Sequence, residues 1–229
     1  MGDSKFTNFD NMSLHSIEED AELIPLLTPE DEEQMNSESL PETLPILPLR
    51  NTVLFPGVVI PITAGRDKSI NLVKDANNGS KVIGVVSQKD ESVENPDVKD
   101  INTVGTVARI LRVLKMPDGN TTVIIQGKKR FEIAEVLTKE PYFTATVRET
   151  EEERSDQNSE EFLAIIESIK DLALKIIRDN PNIPSEASFA IKNIQSNSFL
   201  INFVSSNLNL DVKDKQDLLE IGNLKERAL

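Results

Sequence analysis

The sequence contains no cysteine and only one histidine, His15. Without cysteine the chain cannot form a disulfide, a thiolate zinc site or a cysteine nucleophile. One histidine is too few for a histidine-based metal site or a catalytic triad, because such sites need several convergent groups. His15 is therefore interpreted as a solvated residue, and neither a metal site nor histidine-based catalysis is expected.

Long apolar runs are missing as well. No window is long and apolar enough to span a membrane. The N-terminus does not combine a basic region with a following apolar one, as a signal peptide does. The sequence therefore predicts a cytoplasmic protein without a membrane partner.

Motifs for nucleotide binding and nucleophilic chemistry are also absent. The nearest approach to a phosphate-binding loop is Gly127-Lys128-Lys129, which lacks the upstream glycine and the hydroxyl residue that such a loop needs. No serine lies in a nucleophile elbow or an S-x-x-K motif. The carboxylate runs at 31–33 and 151–153 fall in predicted linkers and are interpreted as solvated charge. The sequence predicts no catalytic, cofactor or metal residue in this chain.

Negative charge is concentrated near the N-terminus. The net charge is −14, and residues 1–43 hold 12 of the 39 acidic residues but only one basic residue, Lys5. Such a segment buries too little apolar surface to offset its chain entropy, so residues 1–43 are predicted to be a disordered acidic arm. Its apolar island at 23–27 is either a docking motif or an incidental run.

The remainder of the chain is nearly neutral, which argues against nucleic acid as a partner. Lys128, Lys129 and Arg130 form its one basic cluster. Three charges without interleaved aromatic residues are more typical of a solvated face than of an RNA contact.

Residues 44–150 are predicted to form a β-rich lobe with one helix. Apolar runs at 44–49 and 58–63 flank a tight bend, and β-branched residues with prolines at the edges of such runs are typical of short strands. A helix is predicted over 66–78. The continuous apolar run at 81–87 predicts a strand that is covered on both faces.

The clearest hairpin joins residues 104–116 to 121–126 through Pro117-Asp118-Gly119-Asn120. The apolar positions of its first strand change parity, which predicts a bend or bulge in a small, curved β-barrel. Segments 130–133 and 142–149 complete the predicted strands. In the last of them Phe143, Ala145 and Val147 are expected to face the core.

Residues 151–158 are predicted to be a charged linker and residues 159–222 a helical bundle. The capping-box pair Asn158 and Glu161 opens a long amphipathic helix that ends at Asn180. Shorter helices are predicted over 186–195, 198–207 and 212–220, with caps at Ser185, Asn197 and Asp211. A further helix opens within 223–229 and is too short to stand alone, so the chain is interpreted as a fragment that ends in a truncated long helix.

Exposed apolar surface offers the only candidate binding site that the residues indicate. Large apolar side chains occur in the first bend and at the hairpin tip, where chain segments are commonly exposed. The candidate residues are Leu54, Phe55, Pro56, Met116 and Pro117. The alternative is that Leu54 and Phe55 fold back into the core, since large apolar residues are usually buried.

Four segments, in order, resemble the N-terminal, substrate-binding domain of ATP-dependent Lon proteases. They are LPLRNTVLFPGVVIPI at 47–62, GRDKSI at 65–70, VIGVVSQKD at 82–90 and VGTVARILRVLKMPDGNTTVIIQGKKR at 104–130. The resemblance extends over roughly residues 44–229. It implies an α+β fold with a PUA-like β-barrel lobe followed by an α-helical bundle that runs into a long helix.

The resemblance also implies a parent protein, a homo-hexameric, ATP-dependent serine protease that degrades misfolded and short-lived regulatory proteins. In that family the module that binds ATP and magnesium and the Ser-Lys dyad lie C-terminal to this region. The resemblance therefore assigns this chain to binding unfolded or misfolded polypeptides and to assembly. Three hypotheses stay open: a binding module for apolar segments, a self-association part of a protease ring, and a stand-alone PUA-like binding protein.

Overall fold

The computed structural model describes residues 27–116, 120–150, 152–153, 157–180, 183 and 186–229. The elements are α1 (Pro29–Ser37), β1 (Thr43–Leu49), β2 (Val59–Ala64), α2 (Asp67–Asn78), β3 (Val82–Ser87), β4 (Val104–Lys115), β5 (Thr121–Thr138), β6 (Phe143–Glu149), α3 (Glu160–Asp179), α4 (Glu186–Asn193), α5 (Asn197–Asn207), α6 (Val212–Glu220) and α7 (Leu224–Ala228). The predicted α+β class is confirmed, with the strands first and most helices after them.

The strands form one six-stranded sheet in the order β2-β5-β4-β3-β1-β6. β1 pairs in parallel with β3, and the other pairs are antiparallel. β5 is long enough to pair with β4 and also with β6, so the sheet curves back on itself. The segment 130–133, expected to be a separate strand, is the middle of β5.

The predicted irregularity of β4 is confirmed. Its register against β5 shifts once between Thr106 and Ala108 and again between Ile110 and Arg112. Each shift lets the strand bend and changes which face its next side chains occupy. The bends explain why both parities of β4 carry apolar residues.

The β lobe has a core on each side of the sheet. One apolar cluster joins α2, through Leu72 and Val73, to Ile83 of β3 and Ile125 of β5. The other surrounds Phe131, which is fully buried, and includes Phe143, Ala145 and Val147 of β6. The continuous apolar run of β3 and the inward phase of β6 are therefore confirmed.

The helical lobe follows the predicted pattern, with corrections at two helix starts. Ser159, not Asn158, caps α3, because its hydroxyl accepts a hydrogen bond from the Phe162 N–H at 3.2 Å. Ser196, not Asn197, caps α5 in the same way through the Phe199 N–H at 3.0 Å. The prediction at Asp211 is confirmed by its 2.8 Å hydrogen bond from the Asp214 N–H.

Part of the N-terminal arm is folded, which corrects the prediction of disorder over 1–43. α1 starts with a capping box in which Thr28 and Asp31 exchange hydrogen bonds. Leu27 and Met35, at either end of α1, are 4% and 6% exposed. Residues 1–26, which include His15 and most of the apolar island, lie outside the described residues.

The linker between the lobes forms more contacts than expected for a solvated charged segment. Glu152 forms an ion pair with the buried Arg227 at 3.0 Å. Glu153 exchanges backbone hydrogen bonds with the turn before α7, from its N–H to the Gly222 carbonyl and from the Leu224 N–H to its carbonyl. The interpretation of the acidic runs as purely solvated is therefore wrong at Glu152 and also at Glu32, whose carboxylate accepts hydrogen bonds from two serine hydroxyls.

Candidate protein-binding surfaces

The bend between β1 and β2, residues 53–58, is a buried junction between the two lobes. Leu54 is 2% exposed and Phe55 is 0% exposed. The Leu54 carbonyl accepts a hydrogen bond from the Thr106 hydroxyl at 2.6 Å. The expected exposure of Leu54 and Phe55 is therefore wrong, and their alternative placement in the core is confirmed.

The helical lobe is what covers the bend. A Cβ placed on Gly57, whose φ is +79°, would lie only 2.7 Å from the Phe199 ring of α5. Phe55 and Val58 share one apolar cluster with Phe199 and Leu200. Since α5 lies far from the bend in sequence, local reasoning had no signal for this contact.

The other predicted site residues have different surroundings. Pro56 is half-buried and lines a cavity of about 70 Å³ at the lobe junction. Met116 is half-buried at the end of β4, and Pro117 lies outside the described residues. A binding role for these three residues stays a prediction.

The hairpin carries apolar side chains on its outer surface next to Met116. Leu111 and Leu114 are 39% and 37% exposed. Leu114 pairs with Thr122, and two residues along on the same face Arg112 pairs with Ile124, which is half-buried. This hairpin surface is apolar but interrupted by polar residues.

The most exposed apolar side chains of the described helices lie on α3 and α4. Leu172, Ile176 and Phe189 are 60%, 54% and 68% exposed, and we call these three residues the helical patch. α3 and α4 contact each other, and only Phe162 and Ile166 of α3 are fully buried. The sequence analysis missed this patch because it interpreted α3 as an amphipathic helix with a single apolar face.

A signal for the helical patch was present in the sequence. α3 carries apolar residues at more positions than a single inward stripe holds. Ile166, Ala173 and Ile177 follow the inward stripe, whereas Leu172 and Ile176 lie one residue before its members. An apolar stripe this broad indicates a second face.

A cleft of about 610 Å³ lies at the start of α2. Leu47, Leu72 and Phe143 contribute apolar side chains to its lining. Its rim is ionic, with Lys68 bound to Glu140 at 2.5 Å and Lys139 bound to Asp97 at 2.7 Å. The two ion pairs link the edges of the cleft, so polar groups surround an apolar floor.

The electrostatics of the cleft follow from these contacts. The hydrogen bond from Lys139, together with one from the Val98 N–H, lowers the pKa of Asp97 below its ordinary value. Arg66 also lines the cleft; burial lowers its pKa, and the nearby positive charge of Arg50 adds to that effect. Arg66 donates a hydrogen bond to Gln88 at 2.5 Å.

The basic cluster at 128–130 is engaged within the protein. Lys128 pairs with Glu38 of the segment after α1 at 3.4 Å, and Lys129 pairs with Glu149 at 2.8 Å. Arg130 donates hydrogen bonds to the Leu219 and Ile221 carbonyls at 3.0 and 3.1 Å. Burial and the neighbouring Arg227 lower the pKa of Arg130 to about 10. The interpretation of this cluster as a solvated face is therefore wrong, since both lysines are in ion pairs and Arg130 joins β5 to the helical lobe.

A second buried arginine, Arg227, joins α7 to α5 and to the linker. Its guanidinium donates hydrogen bonds to Glu152 at 3.0 Å, to Asn202 at 2.8 Å and to the Ile221 carbonyl. The side chain is 0% exposed, and burial lowers its pKa while Glu152 raises it. A buried charge of this kind is tolerated because it is paired and fully hydrogen-bonded.

The described residues contain no group of three or more His, Asp or Glu side chains placed to hold a metal ion. None of their helices combines the length and apolar character that crossing a bilayer requires.

A family model and related sequences both match this chain to the same protein family. The family model described as the ATP-dependent protease La (LON) substrate-binding domain matches residues 43–229. A Lon protease from Flavobacterium johnsoniae is 68% identical over 229 residues, which is 100% of this chain and 28% of that protein. A Lon protease from Cytophaga hutchinsonii is 51% identical over 92% of this chain and 26% of that protein.

Solved structures agree at the level of the fold. The N-terminal domain of a Mycobacterium avium complex Lon protease has a TM-score of 0.66 at 22% identity, over 81% of this chain and 94% of that one. A Lon N-terminal domain protein from Xanthomonas campestris has a TM-score of 0.53 at 17% identity with the same coverage. The chain thus spans between 26% and 28% of the two curated relatives named above, and it belongs to the family of Lon protease substrate-binding domains.

Proposed function

We propose that this chain recognises substrates for an ATP-dependent protease by binding exposed apolar segments of unfolded or misfolded proteins. The observation that carries the proposal is the helical patch, where Leu172, Ile176 and Phe189 are more than half exposed. Exposed apolar side chains on neighbouring helices mark interaction surfaces in soluble domains. The chain itself has no catalytic part in this proposal.

The size of the patch implies weak binding. Full burial of one Leu, Ile or Phe side chain contributes about 1.5–3 kcal/mol. Association costs about 4–15 kcal/mol in lost translational and rotational freedom. Three partly exposed side chains therefore hold a segment only transiently, and several copies acting together would raise the avidity.

A titration tests the proposal. The isotope-labelled chain is titrated with reduced, carboxymethylated α-lactalbumin, an unfolded polypeptide, and backbone amide shifts are followed residue by residue. We expect shifts in α3 and α4, and we expect the Leu172→Ser/Phe189→Ser variant to lose them.

The matched control is Leu137→Ser, since Leu137 is 49% exposed at the far end of β5. This control should bind as the unmodified chain does. Met116→Ala tests the residue predicted from sequence, and shifts confined to the hairpin would move the site there. Equal binding by the unmodified chain and by the α3–α4 variant would refute the role of the helical patch.

The same surface supports a second candidate function, self-association within a protease ring. Leu172 and Ile176, one turn apart, give the C-terminal half of α3 an exposed apolar face, and such faces commonly pair with another helix. Sedimentation velocity at increasing concentration distinguishes the two functions. A chain that stays monomeric at millimolar concentration while still binding the unfolded polypeptide would exclude self-association through this face.

The activity proposed for the parent protein follows from the family and lies outside this chain. We expect the parent to be a cytoplasmic, homo-hexameric serine endopeptidase that uses ATP and magnesium. The full-length parent should degrade carboxymethylated α-lactalbumin only when ATP and magnesium are supplied. The Leu172→Ser/Phe189→Ser change should raise KM for that substrate and leave hydrolysis of a short unstructured peptide unchanged.

A further inference from the structure

α1 lies across a groove between the two lobes, which we call the junction groove. Its floor consists of Val53, Phe55 and Val58 from the bend and Phe199 from α5. Leu27 and Met35 from the α1 segment belong to the same buried cluster. The predicted binding bend thus shares a buried cluster with two apolar residues of another segment, Leu27 and Met35, and that segment is part of this chain.

Polar contacts fix α1 between its two apolar anchors. The Glu32 carboxylate accepts hydrogen bonds from the Ser198 hydroxyl at 2.6 Å and from the Ser196 hydroxyl, at the first turn of α5. A carboxylate is favoured there because a helix N-terminus carries partial positive charge. The junction groove therefore accepts a segment with an acidic residue between two apolar ones.

α1 fits this groove incompletely. Cavities of about 70 and 210 Å³ adjoin it, the first lined by Leu27, Glu32 and Met35 and the second by Met35 and Leu40. Most other α1 side chains are exposed, including Glu30, Asp31, Glu33 and Gln34. Two apolar anchors and the polar contacts of Glu32 thus oppose the conformational entropy that α1 regains on release.

α1 also stands outside the domain that carries the proposed function. The family match begins at residue 43, after α1 has ended, whereas every floor residue of the junction groove lies within the match. The groove belongs to the substrate-binding domain, and its present occupant is an addition to that domain.

We propose that α1 is a displaceable strap: it occupies the junction groove in cis, and an apolar segment of an unfolded protein that carries an acidic residue takes its place. The inference rests on the proposed function and adds a regulated site to it. A strap that fills the groove most of the time lowers the apparent affinity by the fraction of molecules in which the groove is open.

The first experiment compares the affinities of variants of this 229-residue chain for one unfolded polypeptide. Leu27→Ser/Met35→Ser removes both anchors, and Glu33→Ser/Gln34→Ser is the matched control because both residues lie exposed on the same helix. Dye-labelled, carboxymethylated α-lactalbumin is the probe, and fluorescence anisotropy is the readout. We expect the anchor variant to bind about tenfold more tightly, as for a groove that is open in about a tenth of the molecules, and the control to bind like the unmodified chain.

The second experiment follows displacement without any substitution. Hydrogen exchange of α1 amides in the unmodified chain is measured with and without saturating probe. Displacement predicts faster exchange in α1 and slower exchange at residues 53–58 when the probe is bound. Unchanged protection of α1 at saturation would overturn the strap.

The outcomes separate the inference from the proposed function. If the unmodified chain and the anchor variant bind the probe equally, the strap is wrong and substrate recognition stands. If neither binds, both proposals fall. Should circular dichroism show that the anchor variant is unfolded, Glu32→Gln replaces it, since that change weakens the serine contacts and leaves the apolar cluster intact. A smaller rise in affinity is then expected, and no rise would refute the strap.

Discussion

The lobe junction and the outer face of α3 and α4 are both rich in apolar side chains, but the junction buries them and the outer face leaves them exposed. Around Phe55, strands, α5 and α1 converge and leave the ring 0% exposed. On α3 and α4, Phe189 is 68% exposed with no element over it among the described residues. A sheet with helices on it closes a core, whereas a helix pair buries one stripe each and leaves the other faces for partners.

The sharpest test of this contrast is the same substitution in both places. Phe55→Ala should lower the free energy of unfolding by about 4 kcal/mol, because it leaves a cavity in a packed cluster. Phe189→Ala should change it by less than about 0.5 kcal/mol. Urea unfolding measures both values, and comparable losses would show that the α3–α4 face is covered in solution.

The buried Arg227 gives the next largest effect. Arg227→Met removes the guanidinium from Glu152, Asn202 and the Ile221 carbonyl, and should cost about 3 kcal/mol, because a half-buried carboxylate and the buried amide of Asn202 lose their partner. Lys225→Met is the control, since its ion pair with Glu161 has side chains 31% and 70% exposed. We expect that control to stay within about 0.5 kcal/mol. A loss from Arg227→Met as small as the control's would mean that the Arg227 contacts contribute little to the stability of the helical lobe.

Two glycines probe how closely the bend approaches the sheet. A Cβ on Gly127 would lie 2.3 Å from the Phe55 carbonyl oxygen, whereas a Cβ on Gly65 would meet no atom within 4 Å. Gly127→Ala should therefore cost about 2 kcal/mol through forced backbone shifts, and Gly65→Ala less than about 0.5 kcal/mol. Thermal unfolding of the two variants would contradict the close approach if their midpoints were equal.

The smallest expected effect is at the exposed rim of the α2 cleft. The pKa of Asp97 is lowered from 3.8 mainly by the hydrogen bond from Lys139, so the folded state binds this proton less readily than the unfolded chain does. The ion pair therefore stabilises the fold above pH 3.8 and loses that contribution as the pH falls through the lowered pKa. Amide shifts of Val98 against pH should show this titration, and Asp97→Asn should abolish it. If the Val98 amide shift changed with pH in the same way in the unmodified chain and in the Asp97→Asn variant, the ion pair of Asp97 with Lys139 would be excluded as its cause.

Much of the fold could be predicted because its signals are local. The hairpin, the irregular β4, the cap of α6 and the inward phase of β6 each follow from residues close in sequence. Even α1 had a local signal in the spacing of Thr28 and Asp31, which the acidic composition of the arm outweighed. The acidic composition of residues 1–43 is an average over the whole segment. The helix α1 depends on a few residues in it, namely the apolar Leu27 and Met35 and the cap Thr28.

The candidate site was harder to predict because it depends on contacts distant in sequence. Whether Phe55 is exposed is decided by α5, and whether Leu172 is exposed is decided by what packs on α3. No residue close to Phe55 in sequence indicates its burial, whereas the broad apolar stripe of α3 does indicate a second face at Leu172. The position of Phe55 in a bend therefore predicted an exposed side chain, but the structure buries it. The amphipathic pattern of α3 predicted that Leu172 packs in the core, but the structure exposes it.

The pairing of β1 with β6 has a consequence for how the chain folds. Thr43 lies opposite Thr146, so the first and last strands of the lobe are neighbours. Contacts between residues so distant in sequence are slow to form, because a long loop must close first. During synthesis the β1–β6 and β5–β6 ladders therefore form only after β6 has left the ribosome, and the sheet is completed last at this strand.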